Sequence, residues 1–245
     1  AFDCNTGKLH CLARKSNPAE IYFAEVNPST GYVSNISATS IAASYTMNGG
    51  RTLDSYNGIY YFISSGMLFS VDVNTGNLIT SIPIFNSFGS FDFISYNAND
   101  GNIYGLNRGS SPPQIYFAKV DKTTGMVINI SPSSLSASYS LIPGYVLDPV
   151  NNLYSFSNGN LISVDITSGN IIYNVPIICL ASFNLMASEY YCASVYINEY
   201  NISDVEITIS PNPSSGIFTV TSQEKITAIE IYNVVGEKVY RKDAS

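Results

Sequence analysis

Hydrophobic and polar residues alternate in four segments of the chain that also resemble one another. In the first of them, Tyr22, Ala24 and Val26 would share one face of a strand, and the other three alternate in the same way. Each segment ends at a glycine, which tolerates the positive φ that a short hairpin turn requires. The pattern therefore predicts four β-hairpins. The segments are IYFAEVNPSTG (21–31), LFSVDVNTG (68–76), IYFAKVDKTTG (115–125) and LISVDITSG (161–169).

The spacing of these segments is regular. Their first residues lie 47, 47 and 46 positions apart (68 − 21, 115 − 68 and 161 − 115). A repeat of this length suits one four-stranded blade of a β-propeller. Pro83, Pro132 and Pro176 each follow one of the glycines by seven positions. Because proline cannot donate a hydrogen bond to a β-ladder, the strand that carries it is predicted to lie at the outer edge of its blade.

A second, longer period of 94 residues joins the blades in pairs. GKLHCLARKSNPAEIYFAEV (7–26) aligns without a gap with GNIYGLNRGSSPPQIYFAKV (101–120), as if a two-blade unit had been duplicated. A further start of the same type occurs in FNLMASEYYCASVY (183–196), after which the pattern stops. The sequence thus predicts an all-β propeller region over residues 1–201 with about four visible blades. Either its two ends complete one another, or the ring has more blades upstream.

After residue 201 the alternation changes and the hairpin turn of the repeat is not found again. The two informative stretches are ISPNPSSGIFTV (209–220) and ITAIEIYNVVGEKVY (226–240). With them the tail resembles the C-terminal sorting domain of proteins exported by type IX secretion. The residues that carry this resemblance are Pro211, Asn212, Pro213 and Gly216 in the first stretch, and Tyr232, Asn233 and Gly236 in the second.

The resemblance has implications for fold, partner and location. It implies an Ig-like β-sandwich over residues 202–245, partial because the family's last strands and basic tail do not follow in this sequence. It also implies that the type IX translocon of a Gram-negative bacterium recognises the tail and exports the protein through the outer membrane. The expected location is the cell surface or the extracellular space.

Composition narrows the choice of partners. The formal net charge is −7 and only 11 of the 245 residues are Lys or Arg, so nucleic acid is not an expected partner. No apolar run approaches the ~18 residues of a membrane-spanning helix, so a membrane-spanning protein is not expected either. Four cysteines suit disulfides in an exported chain, although buried free thiols are the alternative. They are Cys4, Cys11, Cys179 and Cys192.

The candidate chemistry in the sequence is sparse. The only histidine, His10, occupies a repeat position that holds tyrosine in the other copies, and it is predicted to be a packing variant and not a catalytic residue. Asp72 and Asp165 recur before hairpin turns, where aspartate accepts hydrogen bonds from local backbone amides. The oxygen-rich loop at residues 97–102 lacks the spacing of a calcium site and is predicted to be a plain turn. No catalytic, metal or cofactor residue is therefore predicted.

These observations favour a non-enzymatic surface protein. Its propeller would serve binding, adhesion or surface assembly, with a carbohydrate or a protein as ligand, because 19 tyrosines and many asparagines suit such contacts. Unpaired strand edges could also pair with neighbouring copies in self-assembly. The alternative function is a secreted enzyme that degrades polysaccharide or peptide on a propeller scaffold.

Overall fold

The computed structural model describes residues 1–3, 5–43, 50–86, 88–137, 141–177, 207–210, 219–222, 225–232 and 238–243. The chain divides into two compact units, Ala1–Ser194 and Val195–Ser245. Within the described ranges all regular secondary structure is β, which confirms the predicted class. The predicted domain boundary at residue 201 lies outside the described residues and stays a prediction.

The first unit contains four antiparallel sheets of four strands each, in the arrangement of a β-propeller. We call the sheets blades 1 to 4. In each blade the strands lie side by side in chain order, so that neighbours along the chain are neighbours in the sheet. This confirms four strands per repeat.

The strand bounds follow the repeat. Blade 1 has β1 (Phe2–Asp3), β2 (Lys8–Ser16), β3 (Ala19–Val26) and β4 (Val33–Asn35). Blade 2 has β5 (Arg51–Asp54), β6 (Ile59–Ser64), β7 (Met67–Asp72) and β8 (Leu78–Pro83). Blade 3 has β9 (Ser90–Tyr96), β10 (Ile103–Ser110), β11 (Pro113–Val120) and β12 (Val127–Asn129). Blade 4 has β13 (Ile142–Asp148), β14 (Leu153–Ser157), β15 (Asn160–Asp165) and β16 (Ile171–Pro176).

The second unit contains two described hairpins. β17 (Ile207–Ser210) pairs with β18 (Thr219–Ser222), and β19 (Ala228–Tyr232) pairs with β20 (Lys238–Asp243). These strands fall in the two stretches that the sequence marks as alternating. The Ig-like sandwich expected there is not confirmed, because the described residues form two separate two-stranded sheets.

The hairpin turns form because a side chain satisfies their backbone amides. The Asp72 carboxylate accepts hydrogen bonds from the backbone N–H groups of Asn74 (2.9 Å) and Thr75 (2.8 Å). Asn27, Asp121 and Asp165 make the same pair of bonds in the other three copies. The turn role predicted for Asp72 and Asp165 is therefore confirmed.

The edge position predicted for the prolines is confirmed in two blades. Pro83 is the last residue of β8 and Pro176 is the last residue of β16, and both strands are the outermost of their sheets. Pro132 lies three residues beyond the end of β12. Proline at the outer edge removes no ladder hydrogen bond, because that side of the strand has no partner strand.

The hydrophobic core of the described part of the chain forms three clusters, each between two successive blades. Blades 1 and 2 share the first cluster, blades 2 and 3 the second, and blades 3 and 4 the third. The 94-residue duplication recurs in their geometry. Phe23 contacts Tyr60 with ring centroids 5.1 Å apart, and the equivalent pair, Phe117 and Tyr154, lies at 5.2 Å.

Candidate functional site

Two clefts open at equivalent places in the duplicated structure. Cleft 1 lies between blades 1 and 2 and has a volume of about 270 Å³. Cleft 2 lies between blades 3 and 4 and has a volume of about 330 Å³. Each cleft is lined by the second and third strands of one blade and by a hairpin turn of the next blade. The equivalent pairs are Thr6 and Asp100, His10 and Tyr104, Glu25 and Lys119, Ile36 and Ile130, Val73 and Ile166, and Asn74 and Thr167.

In cleft 1 the central side chain is His10. It is 2% exposed, and its ring stacks on Phe23 with a centroid distance of 5.1 Å. Neither ring nitrogen has a hydrogen-bond partner among the described residues. Nε2 lies 3.8 Å from Oδ2 of Asp3, which is beyond hydrogen-bonding distance. Burial lowers the pKa of His10 below its usual value, although Asp3 opposes this, so the imidazole is neutral at pH 7.

The charged groups around His10 are already engaged. Asp3 accepts hydrogen bonds from the Thr6 hydroxyl (2.6 Å) and from the backbone N–H of Asn5 (3.1 Å). Lys8 and Glu25 form an ion pair at 2.9 Å, in which the Lys8 side chain is 55% exposed. Cleft 1 therefore offers a mixture of donors and acceptors with little net charge of its own, since its lining residues Lys8 and Glu25 are paired.

In cleft 2 a tyrosine takes the place of the histidine. Tyr104 stacks on Phe117 at 5.4 Å, and its hydroxyl donates a hydrogen bond of 2.5 Å to Asp100. Burial, with this hydrogen bond, raises the pKa of Tyr104. Burial alone would raise the pKa of Asp100, but the hydrogen bonds from Tyr104 and Asn102 outweigh it and lower that pKa. The Tyr104 hydroxyl at the centre of cleft 2 therefore has its hydrogen-bond partner within the protein.

The structure places the predicted residues as follows. His10 lies on β2 and packs on Phe23 as Tyr104 packs on Phe117, which confirms it as a packing variant of the repeat tyrosine. The loop at residues 97–102 is a hairpin turn closed by the backbone N–H of Gly101 on the carbonyl of Asn97, as predicted. Across the described ranges, no three His, Cys, Asp or Glu side chains converge with the spacing of a metal site.

Several predicted residues lie outside the described part of the chain. Cys11 is half-buried and forms no disulfide within the described residues. Cys4, Cys179 and Cys192 lie outside them, so disulfide pairing among the four stays a prediction. Tyr232 is the last residue of β19. The other residues of the sorting signature also lie outside the described ranges: Pro211, Asn212, Pro213, Gly216, Asn233 and Gly236.

Sequence reasoning missed the clefts themselves. Thr6, Glu25 and Asn74 were not singled out, because they are ordinary polar residues of turns and strand ends. For Glu25 a signal exists in the alignment of residues 7–26 with residues 101–120. That alignment pairs Glu25 with the oppositely charged Lys119, and it pairs His10 with Tyr104.

Comparison with known families identifies the tail. Residues 208–245 match the family described as the secretion system C-terminal sorting domain. The chain carries a type IX sorting domain. Proteins with this sorting domain are exported by type IX secretion to the cell surface or the extracellular space of Gram-negative bacteria, and the sorting domain implies interaction with that secretion system. Among the described residues no helix has the length and hydrophobicity that a membrane crossing needs.

Solved structures similar to the chain include two described as a nidogen/laminin complex and as TolB from Acinetobacter baumannii. The first is 12% identical over 69% of this chain, with a TM-score of 0.49, and the second is 18% identical over 70%, with a TM-score of 0.47. The chain spans 61% and 41% of their respective lengths. No curated protein matches the sequence significantly.

Proposed function

We propose that this protein is a non-enzymatic surface protein whose propeller binds a carbohydrate or protein ligand after export. The observation that carries the proposal is the sorting domain at residues 208–245, which directs the propeller to the cell exterior. The two clefts support the binding role, since each presents several polar side chains beside two apolar ones, a lining that can hydrogen-bond a polar ligand.

The side chains around the clefts support binding more than catalysis. One carboxylate oxygen of Asp72 and one of Asp165 accept hydrogen bonds from turn amides, and these hydrogen bonds lower the pKa of both groups, which suits them poorly to act as general acids. His10 has no hydrogen bond to a hydroxyl or thiol nucleophile among the described residues, whereas an activated nucleophile needs such a contact. Adhesion through neutral polar contacts also agrees with the low content of charged residues, 12% of the chain.

The export part of the proposal is tested by deleting residues 202–245, with any natural continuation, and fractionating the cells. The truncated protein should accumulate in the periplasm and disappear from the surface and the medium. As the matched control, a periplasmic reporter fused to the same tail should appear outside the cell. Unchanged export of the truncated protein would refute the role of the tail.

The binding part is tested with the purified, exported protein. It should retain neutral oligosaccharides or surface proteins on an array without converting them. Turnover of a polysaccharide or peptide that His10→Ala abolishes would instead establish the alternative function, a secreted degradative enzyme.

A second role, self-assembly, is favoured by the outermost strand of blade 4. β16 exposes apolar side chains on both of its faces: Ile171 at 42%, Ile172 at 49%, Tyr173 at 56% and Val175 at 48%. An exposed apolar strand at a sheet edge is a template for pairing with another copy. The partner in this proposal is a second copy of the chain.

Sedimentation velocity tests this second role. Tyr173→Lys should convert an oligomer to the monomer. Pairing would bury the charged lysine and would lack the contact made by the tyrosine ring, and both effects oppose association. Thr80→Lys, at the equivalent exposed position of β8 in blade 2, is the matched control and should leave the distribution unchanged. A monomer at every concentration in the unmodified protein would exclude self-assembly.

A further inference from the structure

The duplication makes cleft 2 an internal reference for cleft 1. At the reference site the Tyr104 hydroxyl fills the centre of the cleft and is bonded to Asp100. At the same position in cleft 1 the shorter His10 ring stacks on Phe23 but stops before any polar partner. Relative to cleft 2, cleft 1 lacks the ring hydroxyl at its centre and, because Thr6 stands at the position of Asp100, also the carboxylate that accepts from it.

The two unpaired ring nitrogens of His10 indicate which chemical group could bind at the centre of cleft 1. A neutral imidazole has one N–H donor and one nitrogen acceptor, and both are unpaired although the side chain is 98% buried (100 − 2). Buried polar atoms without partners are costly, so a group that satisfies them gains binding free energy. A hydroxyl can donate and accept, which matches a neutral imidazole better than a purely anionic or cationic group does.

Charge and size narrow the ligand further. Lys8 is the one cation lining the described part of cleft 1, and it is paired with Glu25 at 2.9 Å, so the cleft offers no free positive charge to a phosphate or sulfate. Such exposed ion pairs contribute little free energy, and Lys8 can move aside at low cost. A volume of about 270 Å³ lies near the lower end for ligand sites and suits one small ring.

We infer that cleft 1 binds a neutral, hydroxyl-bearing ligand of the size of one sugar unit, with a ligand hydroxyl hydrogen-bonded to the His10 ring. The inference deepens the proposed binding function and rests on it. Glu25 and the Thr6 hydroxyl would bond further hydroxyl groups at the rim, and Asn74 would do so from the turn of blade 2. Cleft 2 would not bind the same ligand, because Tyr104 already occupies the place of its hydroxyl.

The single histidine makes the test direct. Within these 245 residues the imidazole signals in a nitrogen-15 NMR spectrum come from His10, and His10→Tyr identifies them in the exported protein as the signals that disappear. Neutral monosaccharides and their oligomers, titrated to about 10 mM because single-ring contacts are weak, should shift these signals with saturation. His10→Tyr copies the residue of cleft 2 and should fold normally, yet it should weaken sugar binding about tenfold or more in calorimetry. The control Tyr56→Ala, at an exposed position outside both clefts, should leave the sugar affinity unchanged.

The outcomes separate this inference from the proposed function. Sugar binding that survives His10→Tyr and leaves the histidine signals unmoved would overturn cleft 1 as the site, while the wider binding function would stand. If the protein binds a protein ligand but no sugar shifts the histidine signals, the inference that the ligand is a neutral sugar would be overturned. Absence of binding to any carbohydrate or protein would overturn the proposed binding function itself.

Discussion

At the scale of single residues, the two copies of the blade pair differ most at the centre of each cleft. His10 and Tyr104 stack on equivalent phenylalanines, yet only the tyrosine reaches a hydrogen-bond partner. Two differences therefore separate the clefts at their centres, because cleft 1 has His10 in place of Tyr104 and Thr6 in place of its acceptor Asp100. The phenylalanine beneath the ring is retained, since Phe23 and Phe117 are both fully buried.

The buried His10 should make the protein less stable in weak acid. Its pKa is lowered by burial in the folded state, so the unfolded chain takes up a proton first as the pH falls below about 6.5. The free energy of unfolding should therefore decline from about pH 6.5 downward, and not above it. Urea unfolding from pH 8 to pH 5 measures this, and His10→Tyr should flatten the profile in that window. An equal slope in the variant would refute the assignment to His10.

The glycine of the hairpin turn is required for two separate reasons in blade 2. Gly76 has a φ of +69°, and a Cβ there would overlap the backbone of Ser37 in the preceding segment. Gly31 has nearly the same φ, +70°, but a Cβ there would meet no described atom within 4 Å.

Gly31→Ala should therefore cost about 1 kcal/mol from conformational strain alone. Gly76→Ala should cost several times as much, because the backbone of Ser37 must also move. Chemical denaturation of both variants compares the two effects. Equal losses would show that the close contact with Ser37 does not matter.

At the scale of elements, each hairpin depends on one side chain that accepts two backbone hydrogen bonds. Hydrogen bonds from Thr75 hold the pKa of Asp72 below its usual value of 3.8. The stabilisation is therefore complete above that pH and is lost as the pH falls through the lowered pKa. Asn27 makes the same bonds in blade 1 without a titrating group.

The natural asparagine turn suggests a matched pair of variants. Asp72→Asn should change the free energy of unfolding by less than about 0.5 kcal/mol at pH 7. It should also remove the loss of stability that protonation of Asp72 causes in acid. Asp72→Ala should lose about 1 kcal/mol or more, because the backbone N–H groups of Asn74 and Thr75 lose their acceptor. Thermal unfolding at pH 7 and pH 3 checks both, and an asparagine variant as unstable as the alanine variant would contradict the hydrogen-bond explanation.

At the scale of the whole molecule, the described propeller is held together by contacts between neighbouring blades. Phe117 lies wholly inside the cluster that joins blades 3 and 4. Phe117→Ala should cost about 3–5 kcal/mol through lost burial and the cavity left behind. Tyr56→Ala, at an 84% exposed position, should change stability by less than about 0.5 kcal/mol. A loss at Phe117 no larger than at Tyr56 would mean that blades 3 and 4 do not unfold together.

The sequence by itself determined the features that are local or periodic. Strand alternation, the turn glycines and the 47-residue spacing predict four-stranded blades, because each depends on residues only a few positions apart. The signature from Pro211 to Gly236 identified the sorting domain for the same reason, as a short motif at fixed spacing. Even the status of His10 as a substitute for tyrosine followed from the alignment of the two copies.

Only the tertiary structure decided which polar residues meet and which of them are satisfied. Both Phe117 and its neighbour Ala118 are fully buried, although they point to opposite faces of β11, because blade 3 packs on blade 4 through one face and on blade 2 through the other. Cleft 1 joins His10 and Glu25 of one blade to Asn74 of the next, 64 positions from His10 (74 − 10). The His10 ring nitrogens are buried without a hydrogen-bond partner among the described residues because of how the blades pack, which no pattern along the chain encodes.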